Sequence, residues 1–202
     1  MIPASSDARG GDPRGSPTAG REAPVALKIR PIEMRDAPAY AEYIQLHVGE
    51  SGKDGMPVFS PGGRPGREEI RDNARTRWAR RLEDPNWGRG WVLVRGKSEI
   101  VGHLELRGGR IAAELHRATL GMGMLRAYTR QGNGRRLLET ALAWARAESQ
   151  LVWIDLGVFS HNEPAIKLYK RFGFTRQMVR TDAFRLPGGP SIDDILMTLC
   201  LR

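Results

Sequence analysis

Apolar residues recur along this chain with two periods, and the change from one to the other marks its centre. Leu120, Met122 and Met124 alternate with Gly121 and Gly123, a strand pattern in which one face carries no side chains. Glycines inside a strand mark a bulge or the close approach of another backbone or a ligand. Further on, Leu137, Leu138, Ala141, Leu142 and Ala145 repeat at helical spacing. Between the two lies Arg130-Gln131-Gly132-Asn133-Gly134, whose glycines tolerate positive φ and turn the strand into a helix that opens on Gly134.

The same patterning assigns the flanks. Ala26 to Arg30 reads as a strand stopped by Pro31, and Asp36 as the cap of a helix with Pro38 in its first turn, carrying Tyr40, Tyr43, Ile44 and His47. Residues 49–66 are rich in glycine and proline, a long loop of the kind that serves as a binding loop or lid. Ile70, Ala74, Trp78 and Leu82 bring back helical spacing over Arg67 to Leu82. Gly90 to Arg95 and Glu99 to Leu106 form a hairpin, and Gly108-Gly109 turns into an extended stretch, Arg110 to Leu115. After the central helix come a strand at Leu151 to Phe159, a helix at Glu163 to Phe172, and a closing hairpin of Phe174 to Arg185 with Ser191 to Leu201. This order predicts an α+β fold, a mixed and mostly antiparallel central sheet with helices on both faces.

Composition narrows the setting. The 202 residues fit one domain with a real core, expected over residues 25–202. Residues 1–24 are rich in Gly, Pro, Ser and charge and almost lack large apolar side chains, so a disordered extension is expected there. The net charge of +9 favours anionic partners. Nucleic acid is not the expected one: the basic residues are scattered, with no zinc-finger spacing and no aromatic RNA-binding strand. Cys200 is the only cysteine, expected as a small core residue, so no disulfide forms within the chain. No run of eighteen apolar residues and no signal-peptide layout is present, which predicts no membrane partner and a cytoplasmic location.

The chemistry starts from the central turn. Main-chain amides pointing outward at a helix N-terminus suit phosphate oxygens. The dinucleotide pattern GxGxxG is not met, because Leu137 stands where the third glycine belongs, and the GxxxxGK[ST] loop is absent. A second stretch adds weight: Val158 to Phe174, VFSHNEPAIKLYKRFGF. Asn162 suits an N-cap, Pro164 the first turn and Gly173 the C-terminal stop, while Ala165, Leu168, Tyr169 and Phe172 share one face.

Together the two stretches resemble the GNAT superfamily of acetyl-CoA-dependent N-acetyltransferases. The family's cofactor loop, [QR]-x-x-G-x-[GA], corresponds to Thr129-Arg130-Gln131-Gly132-Asn133-Gly134, with Thr129 departing from the usual first residue. Arg126 stands where a proline is common and Asn133 where an aliphatic is usual, and neither removes a main-chain donor. The family's later segment, N-x-x-A-x-x-L-Y-x-x-x-G-F, is met by Asn162, Ala165, Leu168, Tyr169, Gly173 and Phe174. The closing strand resembles the subgroup that acetylates ribosomal-protein N-termini or small amines.

The resemblance implies acetyl-CoA as cosubstrate, an amine acceptor, and no metal; a homodimer is left open. It implies that the amides of Arg130, Gln131, Gly132, Asn133, Gly134 and Arg135 hold the pyrophosphate. Met124, Leu125 and Arg126 would run along the pantetheine arm, Asn162 would orient it, and Tyr169 would protonate the leaving thiolate. The Met124 amide is a candidate for the oxyanion. The base is open: residues 118–125 hold no carboxylate, so Glu105 is the first candidate, with Glu114, His116 and Asp155 in reserve and water as the other route. A non-catalytic acyl-CoA-binding or regulatory module on the same fold is the alternative function.

Overall fold

The computed structural model describes residues 26–148, 150–185, 189 and 191–202. The expected N-terminal extension lies outside the described residues. In chain order the elements are β1 (Leu27–Pro31), α1 (Ala37–Gly49), α2 (Arg67–Ala79), β2 (Gly88–Arg95), β3 (Glu99–Gly108), β4 (Arg117–Met124), α3 (Asn133–Ala147), β5 (Trp153–Phe159), α4 (Glu163–Arg171), β6 (Thr175–Arg185) and β7 (Ser191–Cys200). The seven strands form one sheet in the order β1-β2-β3-β4-β5-β7-β6, antiparallel everywhere except between β4 and β5.

Each face of the sheet is covered by helices of a different kind. α3 places Leu137, Leu138, Ala141, Leu142 and Ala145 against Leu93, Val101, Leu104 and Leu106, in a cluster that also takes in Leu120, Ile154, Tyr169 and Phe174. Each fully buried leucine there contributes roughly 1.5–3 kcal/mol of transfer free energy. α1 and α2 lie on the other face and bury Tyr40, Tyr43, Ile70 and Ala74 against Val92, Val94 and Ile100. They pack chiefly on β2 and β3, and among the described residues the same face of β5, β7 and β6 carries no helix.

Three expectations are corrected. The stretch Arg110–Leu115 is not a strand: the Arg110 amide donates to Glu114 Oε2 at 2.9 Å and Ala112–Glu114 forms a 3-10 turn, so β4 starts only at Arg117. Asp36 stands at the N-terminal cap of α1, but its carboxylate turns away to Arg30, at 2.6 and 2.8 Å, and to the Glu33 amide. Cys200 is exposed, because it projects onto the sheet face that lacks a helix.

Candidate active site

The site is built where the sheet splits. β4 and β5 pair only through Arg117–Trp153, Ala118–Ile154 and Thr119–Asp155. Beyond that point β4 continues with β3 alone and β5 with β7 alone. The Leu125 amide donates to the Val101 carbonyl at 2.9 Å. Alternation along an antiparallel ladder then turns the amides and carbonyls of Leu120, Met122 and Met124 toward the open edge. A strand edge of this kind pairs with an extended ligand that carries its own amides.

At the end of β4 the chain enters the turn that precedes α3. Arg130 and Gly132 both have positive φ, 57° and 79°, and Gly132 occupies the cap position with no capping side chain. Among the described residues, no protein oxygen accepts from the amides of Arg130 to Arg135, and the first turn of α3 holds no acid. The side chains around it brace the turn from within. Asn133 Nδ2 donates to the Tyr128 carbonyl at 3.0 Å, and Gln131 Nε2 to the Ala127 carbonyl at 2.7 Å. Free amides, an unopposed helix terminus and the exposed Arg130, Arg135 and Arg136 are the chemistry that a polyphosphate would require.

α4 stands beside α3. A Cβ on Gly134 would lie 3.5 Å from Leu168 and 3.8 Å from Met122, so the start of α3 touches both α4 and β4. Asn162 caps α4 by accepting from the Ala165 amide at 3.3 Å. Tyr169 is buried in the α3-side cluster with Met124, and burial pushes its hydroxyl up to about 12, which keeps it protonated at neutral pH. Leu125 and Arg126 do not present free donors to the split. The Leu125 amide is taken by Val101, and the Arg126 amide donates to Glu50 Oε2 at 2.8 Å.

The glycine face of β4 looks the other way, toward α1. A side chain on Gly123 would overlap His47 Nε2 and come within 3.0 Å of His103 Cε1, whereas at Gly121 the space is open. His103 Nδ1 and the Tyr43 hydroxyl share a buried hydrogen bond of 2.9 Å. Burial lowers His103 to about 3 and His47 to about 4, so both rings are neutral at pH 7. The segment between α1 and α2 roofs this side: Phe59 stacks on His47 at 4.2 Å, the Val58 carbonyl lies 3.0 Å from His161 Nε2, and Arg126 Nη1 donates to the Asp54 carbonyl.

The candidate bases are placed as follows. Glu105 is buried and accepts from Arg77 at 3.1 and 3.3 Å, Trp78 Nε1 at 3.1 Å and Arg107 at 2.9 Å. Burial alone would raise its carboxyl, but Arg107 and Arg77 hold it below the usual range. A carboxylate so held clamps α2 to β3 and has little affinity left for a proton. Asp155 is engaged by Arg117 at 2.6 and 2.8 Å and by the Thr198 hydroxyl at 2.7 Å. Glu114 and His116 precede β4, at the end away from the split. Patterning had no means of finding His47 and Tyr43 as site residues, because only the packing of α1 on β3 and β4 brings them to Gly123.

A groove of about 770 Å³ runs over the helix-free face and reaches the split at Thr119, Asp155 and Gly157. Among the described residues, no group of three or more His, Cys, Asp or Glu side chains is placed to hold a metal ion, and no helix is long and apolar enough to cross a membrane.

The model of the acetyltransferase (GNAT) family matches residues 59–174. No curated protein sequence matches the chain. Among solved structures, an acetyltransferase of the GNAT family from Streptococcus pneumoniae is similar, with a TM-score of 0.71, 22% identity, and coverage of 87% of this chain and 99% of that one. A putative acetyltransferase from Salmonella typhimurium, solved with its cofactor acetyl-CoA, has a TM-score of 0.71 at 18% identity, covering 88% and 95%. The spermidine/spermine N-acetyltransferase SpeG from Vibrio cholerae, in mutant forms, has a TM-score of 0.62 at 18% identity, covering 87% and 95%. These similarities are likenesses of fold.

Proposed function

The chain belongs to the acetyltransferase (GNAT) family, and on that premise we propose that it transfers the acetyl group of acetyl-CoA to a primary amine by direct attack in a ternary complex. The observation that carries this reading is the split itself. The turn before α3 follows the open edge of β4, Tyr169 shares the α3-side cluster with Met124, and the glycine face of β4 is roofed on the other side, an arrangement that supports one gap approached from two sides. The donor and the acceptor therefore have separate approaches to one gap.

In this reading the amides of Arg130 to Arg135 hold the pyrophosphate. The open edge of β4, above all Met124, pairs with the pantetheine arm as an added strand would. The Met124 amide stabilises the oxyanion that forms when the amine attacks. Tyr169 gives its proton to the departing thiolate; burial pushes its hydroxyl up to about 12, so it holds that proton at pH 7. Asn162 fixes the start of α4 and so the height of Tyr169. The acceptor is a primary amine, a small molecule or a protein N-terminus, and a spermidine/spermine acetyltransferase among the structural neighbours supports the first of these. Glu105, gripped by Arg77, Arg107 and Trp78, is left as a structural carboxylate rather than the base.

The test combines binding and turnover. Acetyl-CoA at 100 times its dissociation constant adds about 2.7 kcal/mol of stability by linkage, and the melting temperature rises accordingly. Tyr169→Phe keeps that rise and loses roughly 10²–10⁴-fold in the release of CoA thiol. A melting temperature indifferent to both acetyl-CoA and CoA would overturn the reading.

A further inference from the structure

Resting on that acetyl-transfer reading, we infer that Asp194 of β7 is the residue that meets the acceptor's ammonium group and takes its proton.

The first observation is a window. Counted on from the last pair, Thr119–Asp155, Gly121 corresponds to Gly157 across the split and Gly123 to Phe159. Gly121 has open space where a side chain would stand. At Gly157 a Cβ would lie 3.2 and 3.4 Å from the two oxygens of Asp194. Two strands that each lack a side chain at the same level leave a passage through the sheet, and the Asp194 carboxylate forms its rim.

The second observation is the company that carboxylate keeps. Ile195, Met197 and Leu199 point into the α3-side core, so Asp194 projects to the opposite face, the one an acceptor approaches. It is 7% exposed. The nearest carboxylates of β3 and β5 on this face are engaged: Glu105 by two arginines and a tryptophan, Asp155 by Arg117 and Thr198. Among the described residues, Asp194 has one side-chain partner, Arg180 of β6, through a single contact of 3.3 Å. Its neighbour Asp193 is turned away and accepts from the Asp182 amide.

The third observation is that Arg180 already marks a cation site. Its guanidinium lies 5.3 Å from the centre of the Phe184 ring as well as against Asp194, and Phe184 packs on Phe159 at 5.1 Å. A carboxylate flanked by aromatic rings is what an organic ammonium needs. The Arg180 side chain is more than half exposed, so an incoming amine displaces it at small cost.

The step balances. An oxygen of Asp194 accepts one proton from R–NH3+, giving R–NH2 and a neutral carboxyl. The freed lone pair forms the N–C bond to the acetyl carbon, the C–S bond breaks, and the thiolate takes a proton from the buried tyrosine. The nitrogen sheds its second proton to water, the carboxyl returns the first to water, and the tyrosinate takes one proton back from water, so that one proton is released per turnover.

The experiment follows CoA thiol release with spermidine, phosphinothricin and a short peptide with a free N-terminus, from pH 6 to pH 9.5. Asp194→Asn is expected to keep the rise in melting temperature with acetyl-CoA and to lose at least 100-fold in kcat/KM at pH 7. The loss should shrink about tenfold per pH unit as the amine arrives already deprotonated, a recovery that a purely structural role would not produce. Gly157→Ala crowds the carboxylate from below and should raise KM for the amine while leaving the acetyl-CoA shift intact; it carries the test should Asp194→Asn not fold. An Asp194→Asn enzyme within threefold of wild type with an unchanged pH profile, or a Gly157→Ala enzyme with unchanged KM, overturns the assignment alone. Wild-type protein that releases thiol with none of the three amines overturns the acetyl-transfer reading and Asp194 with it.

Discussion

The two sides of the split are made by different means. On the α3 side, every group proposed to have a role comes from two contiguous stretches, residues 120–135 and 162–174, and the chemistry is mostly main-chain: free amides, an open strand edge, one phenol. On the α1 side, the groups come from α1, β3, β4, β5 and β7, and the chemistry is all side-chain: two neutral histidines, a tyrosine, and carboxylates with partners of unequal strength. A main-chain site is set by local geometry and survives changes of residue type. A side-chain site depends on register and on which charges are already matched. The α1 side is therefore where single substitutions test most.

The largest expected effect concerns Glu105, where matched and available charge part company. Removing it in Glu105→Ala leaves Arg77 and Arg107 facing each other across a buried position, and a broken buried pair costs about 3–5 kcal/mol. For a domain of this size that lowers the melting temperature by roughly 6–20 °C. Glu105→Gln, which keeps acceptors for some of those donors, should retain kcat within about threefold at a temperature where it is folded. A stable Glu105→Ala protein, or a Glu105→Gln protein that folds and has lost 100-fold in kcat, would return Glu105 to the role of base.

What could be read from the sequence follows the same division. The 3.6-residue spacing from Leu137 to Ala145 and the Asn162–Phe174 segment describe elements whose every contact is set within one helix and its neighbours, and both appear as expected. Arg110–Leu115 misled because a glutamate four residues on caps its amide, a local bond that outweighs extended propensity. Cys200 misled because alternation says which residues share a face but not whether a helix covers it. The partners of Glu105 were hidden for a deeper reason. Its place on a strand face beside His103 is legible, but the arginines that neutralise it come from α2 and from two residues along the same strand, and pairing across elements is invisible before the fold is known.

The histidine pair sharpens the comparison through pH. In the unfolded chain both titrate near 6.5, while folding lowers them to about 4 and about 3, burial being the main cause. The unfolded state thus binds more protons as the pH falls, so stability holds above pH 6.5 and is lost progressively down to about pH 4, by about 3 kcal/mol per histidine. Urea unfolding at a series of pH values measures this directly. His47→Gln should remove one of the two protons from the slope between pH 6 and pH 4.5. A stability that does not change over that interval would mean the rings are more hydrated than their packing between Tyr43, Phe59 and β4 implies.

The smallest effects separate two glycines that look alike in sequence. Gly123→Ala sets a methyl 2.8 Å from His47 Cδ2 and 3.0 Å from His103 Cε1, and neither ring can yield without disturbing the Tyr43 hydrogen bond or the Phe59 stack. Overpacking of this kind costs about 1–3 kcal/mol. Gly121→Ala meets nothing within 4 Å, and its φ is one that alanine adopts, so its stability should stay within about 0.5 kcal/mol of wild type. Its methyl nonetheless enters the passage level with Gly157. If the amine reaches the thioester there, Gly121→Ala lowers turnover while leaving the melting temperature and its response to acetyl-CoA unchanged. Equal turnover in Gly121→Ala and wild type would place the amine's route elsewhere, on the Gly123 side beneath Phe59, and the division of the split between its two neighbours would have to be redrawn one residue pair further along β4.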